Sequence, residues 1–389
     1  MCRLLTLFLF CCVFQGKAQR YDATIVVDDV PRQFIVVVPS GEAPDGGYPL
    51  VVMLHGTSGD GEKFFNISGW KELGEEKGIV TAFPSSLSWC VQDEEDPKPH
   101  NTTKWVNGDL LAKACPGQTF VDDVKFLSVL VDTIKRRLTI DNSMVFLSGF
   151  SNGGVMTSKM AVDAPDVFRA VAPAAGFITD FDSAIANKPT PTWFCVGTKD
   201  VKFTEPRGLT ELPFNDSSYY WMRGTIVKFL AAYQLKEEYE KDSTDGMISW
   251  TFTTPLEGHP ASFLRFTLVK DLTHAYANGV NHPLKYAPMF WKFFQAVALN
   301  TGIAEEDSKS TRNHMTVYPN PATSHLTVDI HDDGSDARHH ELRIVDVFGR
   351  TVNVVEAQPG QNTIPLRDLP PGLYSAIYDT ISRPFVIAH

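Results

Sequence analysis

Apolar and polar positions change their period several times along this chain, and each change predicts an element. Residues 23–27 and 33–38 alternate as a β-hairpin, with Asp28-Asp29 at its turn. Pro49-Leu50-Val51-Val52-Met53-Leu54 is a continuous apolar run, the pattern of a strand covered on both faces. Residues 70–77 predict a helix and residues 79–83 the next strand. Across 121–138, Val124, Leu127, Leu130, Val131, Ile134 and Leu138 trace one helical face. Asp122 and Asp123 fall in its first turn, where carboxylates favour the macrodipole. Met144-Val145-Phe146-Leu147 reads as a strand, and Val155, Met156 and Met160 recur at helical spacing after it. Further strands are predicted at 170–172, 192–196 and 263–269, and an aromatic-rich helix at 289–299. Such alternation specifies an α/β fold, with a mostly parallel sheet carrying helices on both faces.

The two ends differ from this body. Arg3, an apolar stretch over residues 4–14 and Lys17-Ala18-Gln19 have the layout of a secretory signal, assigned to residues 1–19. The α/β domain then occupies 20–300. Residues 301–314 are polar, charged and aperiodic, and read as a linker. Beyond it, Leu326-Thr327-Val328-Asp329-Ile330 and Leu342-Arg343-Ile344-Val345-Asp346-Val347 alternate as half-buried antiparallel strands. Phe348-Gly349-Arg350 and Pro370-Pro371-Gly372 are turn signals, so 315–389 predict a small β-sandwich.

Composition narrows the classes of partner. The 389 residues carry a formal charge of −11, which disfavours nucleic acid and anionic membrane surfaces. No segment after the signal is long and apolar enough to be an integral membrane helix. Removal of the signal leaves Cys90, Cys115 and Cys195. Cys195 sits in the buried-strand pattern Trp193-Phe194-Cys195-Val196. Cys90 and Cys115 flank a polar, aromatic-containing loop and are the candidate disulfide.

The chemistry concentrates at Gly149-Phe150-Ser151-Asn152-Gly153-Gly154, between a predicted strand and a predicted helix. In that context G-x-S-x-G forms a sharp turn presenting the serine above a helix N-terminus. An activated serine needs a base, and the base an orienting carboxylate, in the chain order Ser, Asp or Glu, His. Asp200 follows the 192–196 strand and is the expected acid, ahead of Asp180 and Asp182. His274 follows the 263–269 strand and is the expected base, ahead of His282 and His259. The oxyanion donors fall to the main chain of Asn152 and of Thr57, in the loop after Leu54. His55 would brace that loop. Trp89 and Trp105, in the 85–118 region, and Tyr276 are the candidate substrate contacts, walling a pocket for an aromatic acid or sugar ring. No cofactor and no metal ligands are assigned.

Taken in order, five motifs resemble a secreted α/β-hydrolase family. It groups feruloyl and acetylxylan esterases with polyhydroxybutyrate depolymerase-like proteins. They are Pro49 to Gly56, Asp122-Asp123-Val124-Lys125-Phe126, the serine motif, Gly197-Thr198-Lys199-Asp200 and Thr273-His274-Ala275-Tyr276. The resemblance implies a Ser151–Asp200–His274 triad acting on acylated plant polysaccharide, such as xylan, or on small esters. A polyester depolymerase is the alternative within the same chemistry. A non-catalytic glycan-binding surface protein is the alternative outside it. In the tail, Val317-Tyr318-Pro319-Asn320-Pro321-Ala322, Val347-Phe348-Gly349-Arg350 and Leu369-Pro370-Pro371-Gly372-Leu373-Tyr374 resemble a type IX secretion sorting domain of Bacteroidota. That implies engagement of the type IX secretion machinery and delivery to the medium or the outer-membrane surface.

Overall fold

The computed structural model describes residues 18–92, 97–180, 182, 185, 188–244, 246–260, 262–299, 314–319, 322–331, 340–346, 350–378 and 381–387. The signal segment up to residue 17, nearly all of the linker and parts of the tail motifs lie outside the described residues.

The sheet is built outward from buried strands. β1 (Gln19–Val27) and β2 (Val30–Val38) form the predicted hairpin. Both turn residues have positive φ, 50° at Asp28 and 62° at Asp29, the primed turn whose twist matches the strands. β3 (Tyr48–Leu54) is fully buried from Leu50 to Leu54, as its unbroken apolar run requires. Helices α1 (Gly61–Ile67) and α2 (Trp70–Lys77) lead to β4 (Val80–Pro84). The hairpin β5 (Leu87–Val91) and β6 (His100–Lys104), the short helix α3 (Gly108–Leu111) and then α4 (Asp123–Arg137) follow. The chain continues through β7 (Ile140–Phe150), α5 (Asn152–Asp163), β8 (Ala170–Ala174) and β9 (Thr192–Lys199). Then come α6 (Val201–Thr204), α7 (Ser217–Tyr233), β10 (Glu240–Thr244), β11 (Met247–Phe252), β12 (Leu264–Thr273) and α8 (Tyr286–Leu299).

Ten strands pair in the order β1-β2-β4-β3-β7-β8-β9-β12-β11-β10. The centre, from β4 to β12, is parallel, and antiparallel pairs close both edges. This is the α/β-hydrolase architecture. The chain goes outward from β3 to β4, then returns to place β7 on the other side of β3. That reversal leaves a crevice at the carboxyl ends of β3 and β7, where open α/β sheets place their ligands.

Separate apolar cores cover the two faces. α4, α5 and α7 bury Phe126, Leu130, Met156, Met160, Phe229 and neighbours on one side. α8 packs Phe290, Trp291, Phe293 and Phe294 on the other, with Phe294 stacked on Phe146 of β7 at 4.6 Å between ring centroids. The region 205–255, where sequence periodicity is weak, contributes α7 and the edge hairpin β10–β11. In the tail, β13 (His314–Tyr318), β14 (His325–His331) and β17 (Gly360–Pro365) form one antiparallel sheet. β15 (His340–Asp346), β16 (Thr351–Ala357), β18 (Gly372–Tyr378) and β19 (Ile381–Ile387) form another. Both contribute to one apolar core around Leu326, Val328, Leu342, Ile344 and Phe385.

Asp122 caps α4, accepting from the Lys125 N–H at 2.9 Å. Asp123 does more than complement a dipole. It is buried, accepts from Arg32 at 2.6 Å and from the Val106 N–H at 2.7 Å, and burial pushes its carboxyl upward. Arg32 also lies over the Phe126 ring at 3.8 Å. Arg32→Met strands the carboxylate and should cost about 3–5 kcal/mol in chemical denaturation. Adding Asp123→Asn should recover most of that, because the neutral amide still accepts from Val106. A double variant no more stable than Arg32→Met would show that the stranded charge is not the cause.

Candidate active site

The serine turn is set by how closely a helix and strands approach. A Cβ on Gly149 would meet the Gly153 carbonyl oxygen and Thr157 Oγ1, each at 2.3 Å. One on Gly153 would meet the His55 carbonyl oxygen at 2.3 Å. Only glycine lets α5 start this close to β3 and β7. The turn between them forces Ser151 to φ 53° and ψ −121°, a strained geometry for a residue with a side chain. Its N–H donates to the Ala174 carbonyl at 2.9 Å, and its carbonyl accepts from the Val155 N–H at 2.9 Å, so the turn is held from both sides.

A similar approach joins the other two elements. A Cβ on Gly197 would lie 1.9 Å from the Leu272 carbonyl oxygen, so glycine alone fits there. The β9–β12 register shifts between Val269 and Thr273, and Asp271 adopts φ 58°. The Asp271 N–H donates to Thr198 Oγ1 at 2.9 Å, and its carboxylate pairs with Lys199 at 2.5 Å. This irregularity re-aims the end of β12, as bulges do beside functional sites. It brings His274 over Asp200.

Ser151, His274 and Asp200 are brought into one hydrogen-bonded chain. His274 Nδ1 donates to Asp200 Oδ1 and Oδ2 at 2.8 and 2.9 Å, which leaves Nε2 as acceptor for the Ser151 hydroxyl at 2.8 Å. Asp200 is fully buried, caps α6 and accepts from the Lys202 N–H at 3.1 Å. The imidazole is partly exposed and lies 5.0 Å from the Phe150 ring. The competing groups have other partners. Asp182 is buried, accepting from the Gly108 N–H and Thr179 Oγ1 and pairing with Lys159. Asp180 pairs with Lys228 at the surface. His282 bridges the Lys270 carbonyl and the Leu284 N–H. His259 is exposed.

Asn152 follows the serine directly, and Thr57 follows Gly56 in the loop beside it. Asn152 opens α5, where first-turn N–H groups have no partner within the helix. The Thr57 loop crosses the serine closely, since a Cβ on Gly56 would sit 3.2 Å from Ser151 Cβ. His55 braces it from below. Its Nδ1–H donates to the Gly56 carbonyl at 2.7 Å and its Nε2 accepts from the Ser86 N–H at 3.0 Å. Burial lowers this imidazole to about 4.

Trp89, Trp105 and Tyr276 correct the expectation that they wall a pocket. All three are buried, with 9%, 0% and 3% of their surface exposed. Trp89 packs edge-on against Phe120 and donates to the Lys104 carbonyl at 3.0 Å. Trp105 donates from Nε1 to the His55 carbonyl at 2.9 Å. The Tyr276 hydroxyl accepts from Trp70 Nε1 at 2.9 Å and meets Ser148 Oγ at 3.1 Å. Their polar ends are satisfied inside the protein, so they position backbone around the serine. Cys90 and Cys115 are disulfide-bonded with Cα atoms 5.5 Å apart, and Cys195 is a buried free thiol.

Sequence reasoning missed the polar anchor beneath the serine. Asn152 Oδ1 accepts from the Trp105 N–H at 2.7 Å, and Asn152 Nδ2 donates to Asn107 Oδ1 at 3.1 Å and Asp109 Oδ2 at 3.0 Å. Asn107 Nδ2 returns a bond to the Asn152 carbonyl at 2.9 Å. Asp109 is paired with the buried Lys104 at 2.9 Å. Burial would raise its carboxyl, but the charges of Lys104 and Lys113 and the bonds to Lys104 and Asn152 hold it below the usual range. Asn107 is an ordinary helix cap in sequence, and nothing in the spacing marks it as a partner of a residue so far along the chain. Among the described residues, no cluster of histidine, cysteine, aspartate and glutamate has the geometry to hold a metal ion.

Comparisons with known proteins follow the same division of the chain. Residues 316–383 match the secretion system C-terminal sorting domain, and residues 110–202 match the prolyl oligopeptidase family. A bifunctional acetylxylan esterase/xylanase of Neocallimastix patriciarum is 28% identical over 43% of this chain and 21% of its own length. A poly(3-hydroxyalkanoate) depolymerase of Paucimonas lemoignei is 32% identical over 36% of this chain and 30% of its own. A feruloyl esterase B of Thermothelomyces thermophilus is 28% identical over 37% and 44%. The aligned part therefore spans less than half the length of each of these relatives. An acetyl xylan esterase structure from Aspergillus awamori aligns at TM-score 0.43 and 16% identity, over 71% of this chain and 99% of that one.

The buried His55 makes a pH prediction. Its imidazole is neutral in the fold and charged in the unfolded chain below about 6.5. Its stabilising effect is thus complete above that value and is lost as pH falls toward about 4. Between pH 7 and 4.5 the wild-type chain should lose about 2 kcal/mol more than His55→Asn in urea denaturation. Equal losses in the two proteins would remove His55 as the source.

Proposed function

We propose that this chain, which joins an α/β-hydrolase domain similar to acetylxylan and feruloyl esterases to a C-terminal secretion sorting domain, is a secreted serine carboxylic-ester hydrolase. The observation that carries the reading is the hydrogen-bonded series Ser151–His274–Asp200 at a strained turn above a helix N-terminus.

In this mechanism His274 Nε2 takes the Ser151 proton as Oγ attacks the ester carbonyl carbon. The main-chain N–H groups of Asn152 and Thr57 stabilise the oxyanion. The imidazolium then protonates the leaving alcohol, and an acyl-serine remains. Water, deprotonated by the same imidazole, attacks the acyl carbon and releases the acid and free Ser151. Asp200 holds the Nδ1–H tautomer and stabilises the transient imidazolium without itself being protonated.

For the substrate, we favour a hydroxycinnamoyl or acetyl ester on plant-cell-wall polysaccharide, supported by the names of the acetylxylan and feruloyl esterase relatives. A polyester is the second reading, supported by the depolymerase relative. The tail would engage the type IX secretion machinery and deliver the enzyme to the medium or the cell surface.

The test is initial rates of the full chain on methyl ferulate, a short-chain acetyl ester, a polyhydroxyalkanoate film and a prolyl-peptide anilide. Ester turnover with covalent fluorophosphonate labelling is expected, and Ser151→Ala should lower kcat at least ~10⁴-fold. Ser151→Ala within about tenfold of wild type would remove the nucleophile. Release from the film alone would move the substrate to polyesters, and cleavage of the anilide alone would replace the esterase reading with a peptidase one.

A further inference from the structure

The segment between β4 and α4 touches the serine turn on both sides. On one side its β6 strand holds the Thr57 loop. The Ser58 N–H donates to the Thr103 carbonyl at 3.1 Å, Ser58 Oγ meets Thr102 Oγ1 at 2.7 Å, and Thr103 Oγ1 donates to the Gly59 carbonyl at 2.6 Å. Ser58 is held at φ 59° by this contact, a conformation a serine rarely adopts unaided. On the other side, Trp105, Asn107 and Asp109 bond the side-chain oxygen, side-chain nitrogen and main-chain carbonyl of Asn152. Trp105 closes the circuit through the His55 carbonyl. The segment is tied to itself by the Cys90–Cys115 disulfide, by Gln118 bonds to the Cys90 N–H and to the carbonyls of Cys90 and Cys115, and by the Lys104–Asp109 pair.

We propose that this disulfide-closed segment is the positioning element of the oxyanion hole, with Asp109 and Asn107 fixing the Asn152 donor and Thr103 fixing the Thr57 donor. The inference rests on the serine-hydrolase reading above. Its physical basis is the sensitivity of oxyanion stabilisation to donor placement. Loss of one donor costs about 10²–10³ in kcat, and a misplacement of about 1 Å can cost 10². Two donors borne by separate loops need a common reference, and this segment is bonded to Asn152 itself and to Ser58 and Gly59, the two residues that follow Thr57. Asp109, Asn107 and Thr103 are positioning residues, since each reaches the reacting atoms only through another residue.

The experiment uses the full oxidised chain. Asp109→Ala removes one of the two acceptors of Asn152 Nδ2, leaving Asn107 Oδ1, Asp109→Asn restores an acceptor oxygen, and Thr103→Val removes the hydroxyl bond to Gly59 at nearly constant shape. Asp109→Ala and Thr103→Val should each lower kcat roughly 10- to 100-fold with KM changed less than about threefold. Affinity for a boronic acid, which forms a tetrahedral adduct on the serine, should fall in parallel with kcat/KM. Affinity for the free acid product should not change. Asp109→Asn should regain most of the lost kcat. Folding is checked by far-ultraviolet circular dichroism, and Thr103→Val carries the test if Asp109→Ala does not fold. Variants that keep wild-type kcat and boronate affinity, with Ser151-dependent turnover intact, would overturn the proposal. So would an equal loss of boronate and product affinity, which marks general damage. A wild-type chain that neither turns over esters nor takes a fluorophosphonate label would overturn the serine-hydrolase reading itself.

Discussion

The close approach of α5 to β3 and β7 governs the rest of the site. Strand and helix meet where Gly149 faces the carbonyl of Gly153, and Gly153 faces the carbonyl of His55, with no room for a Cβ at either position. The residue between them, Ser151, must then take a positive φ and project its hydroxyl away from the sheet. The strain is local and of order 1–3 kcal/mol, and it persists because buried elements on every side over-determine the turn. The switch in strand order between β3 and β7 puts this turn at the carboxyl ends of the two strands, beside the loop that carries Gly56 and Thr57.

A second close approach completes the arrangement. Gly197 lets the bulged end of β12 fold against β9, and the buried Asp200 and partly exposed His274 meet across it. Both contacts are matters of backbone proximity, and the side chains they bring together, Ser151, Asp200 and His274, lie two or three positions away. The chemistry is therefore exposed to small backbone movements, and the neighbourhood is correspondingly rich in buried polar groups whose bonds stop such movements. His55, Asn107, Lys104 and the partly buried Asp109 bond the serine turn, the loop beside it or one another, and the Arg32–Asp123 pair holds the Val106 N–H beside them. Each polar group held this way loses hydration, and the bonds it makes inside offset that loss only with good geometry. Such groups contribute less to net stability than to fixing one arrangement.

The tryptophans illustrate the difference between a residue near a site and a residue in it. Trp105 bonds Asn152, the residue after the serine, and Tyr276 lies two residues past His274, yet these two and Trp89 each donate or accept through the polar end and bury the ring. Their aromatic bulk sets where backbone runs.

Much of the α/β core was legible because its pattern is local. The unbroken apolar run at Leu50–Leu54, the helical face from Val124 to Leu138 and the Asp28-Asp29 turn each specify their element within a few residues. Serine, acid and base stood out because each follows a predicted strand directly, and chain order ranked them. Region 205–255 was illegible because α7 is apolar nearly all round and its edge strands are short. The anchor of Asn152 by Asn107 and Asp109, the ion pair of Arg32 with Asp123, and the burial of Trp105 join residues tens of positions apart, with no period or motif to announce them. Local periodicity and turn geometry were enough to read most elements of the α/β core, their order and the candidate chemistry from the sequence. Only the tertiary structure decided which polar side chains meet and which aromatic rings are buried, because those outcomes depend on how the sheet, the segment between β4 and α4 and the bulged end of β12 pack in three dimensions.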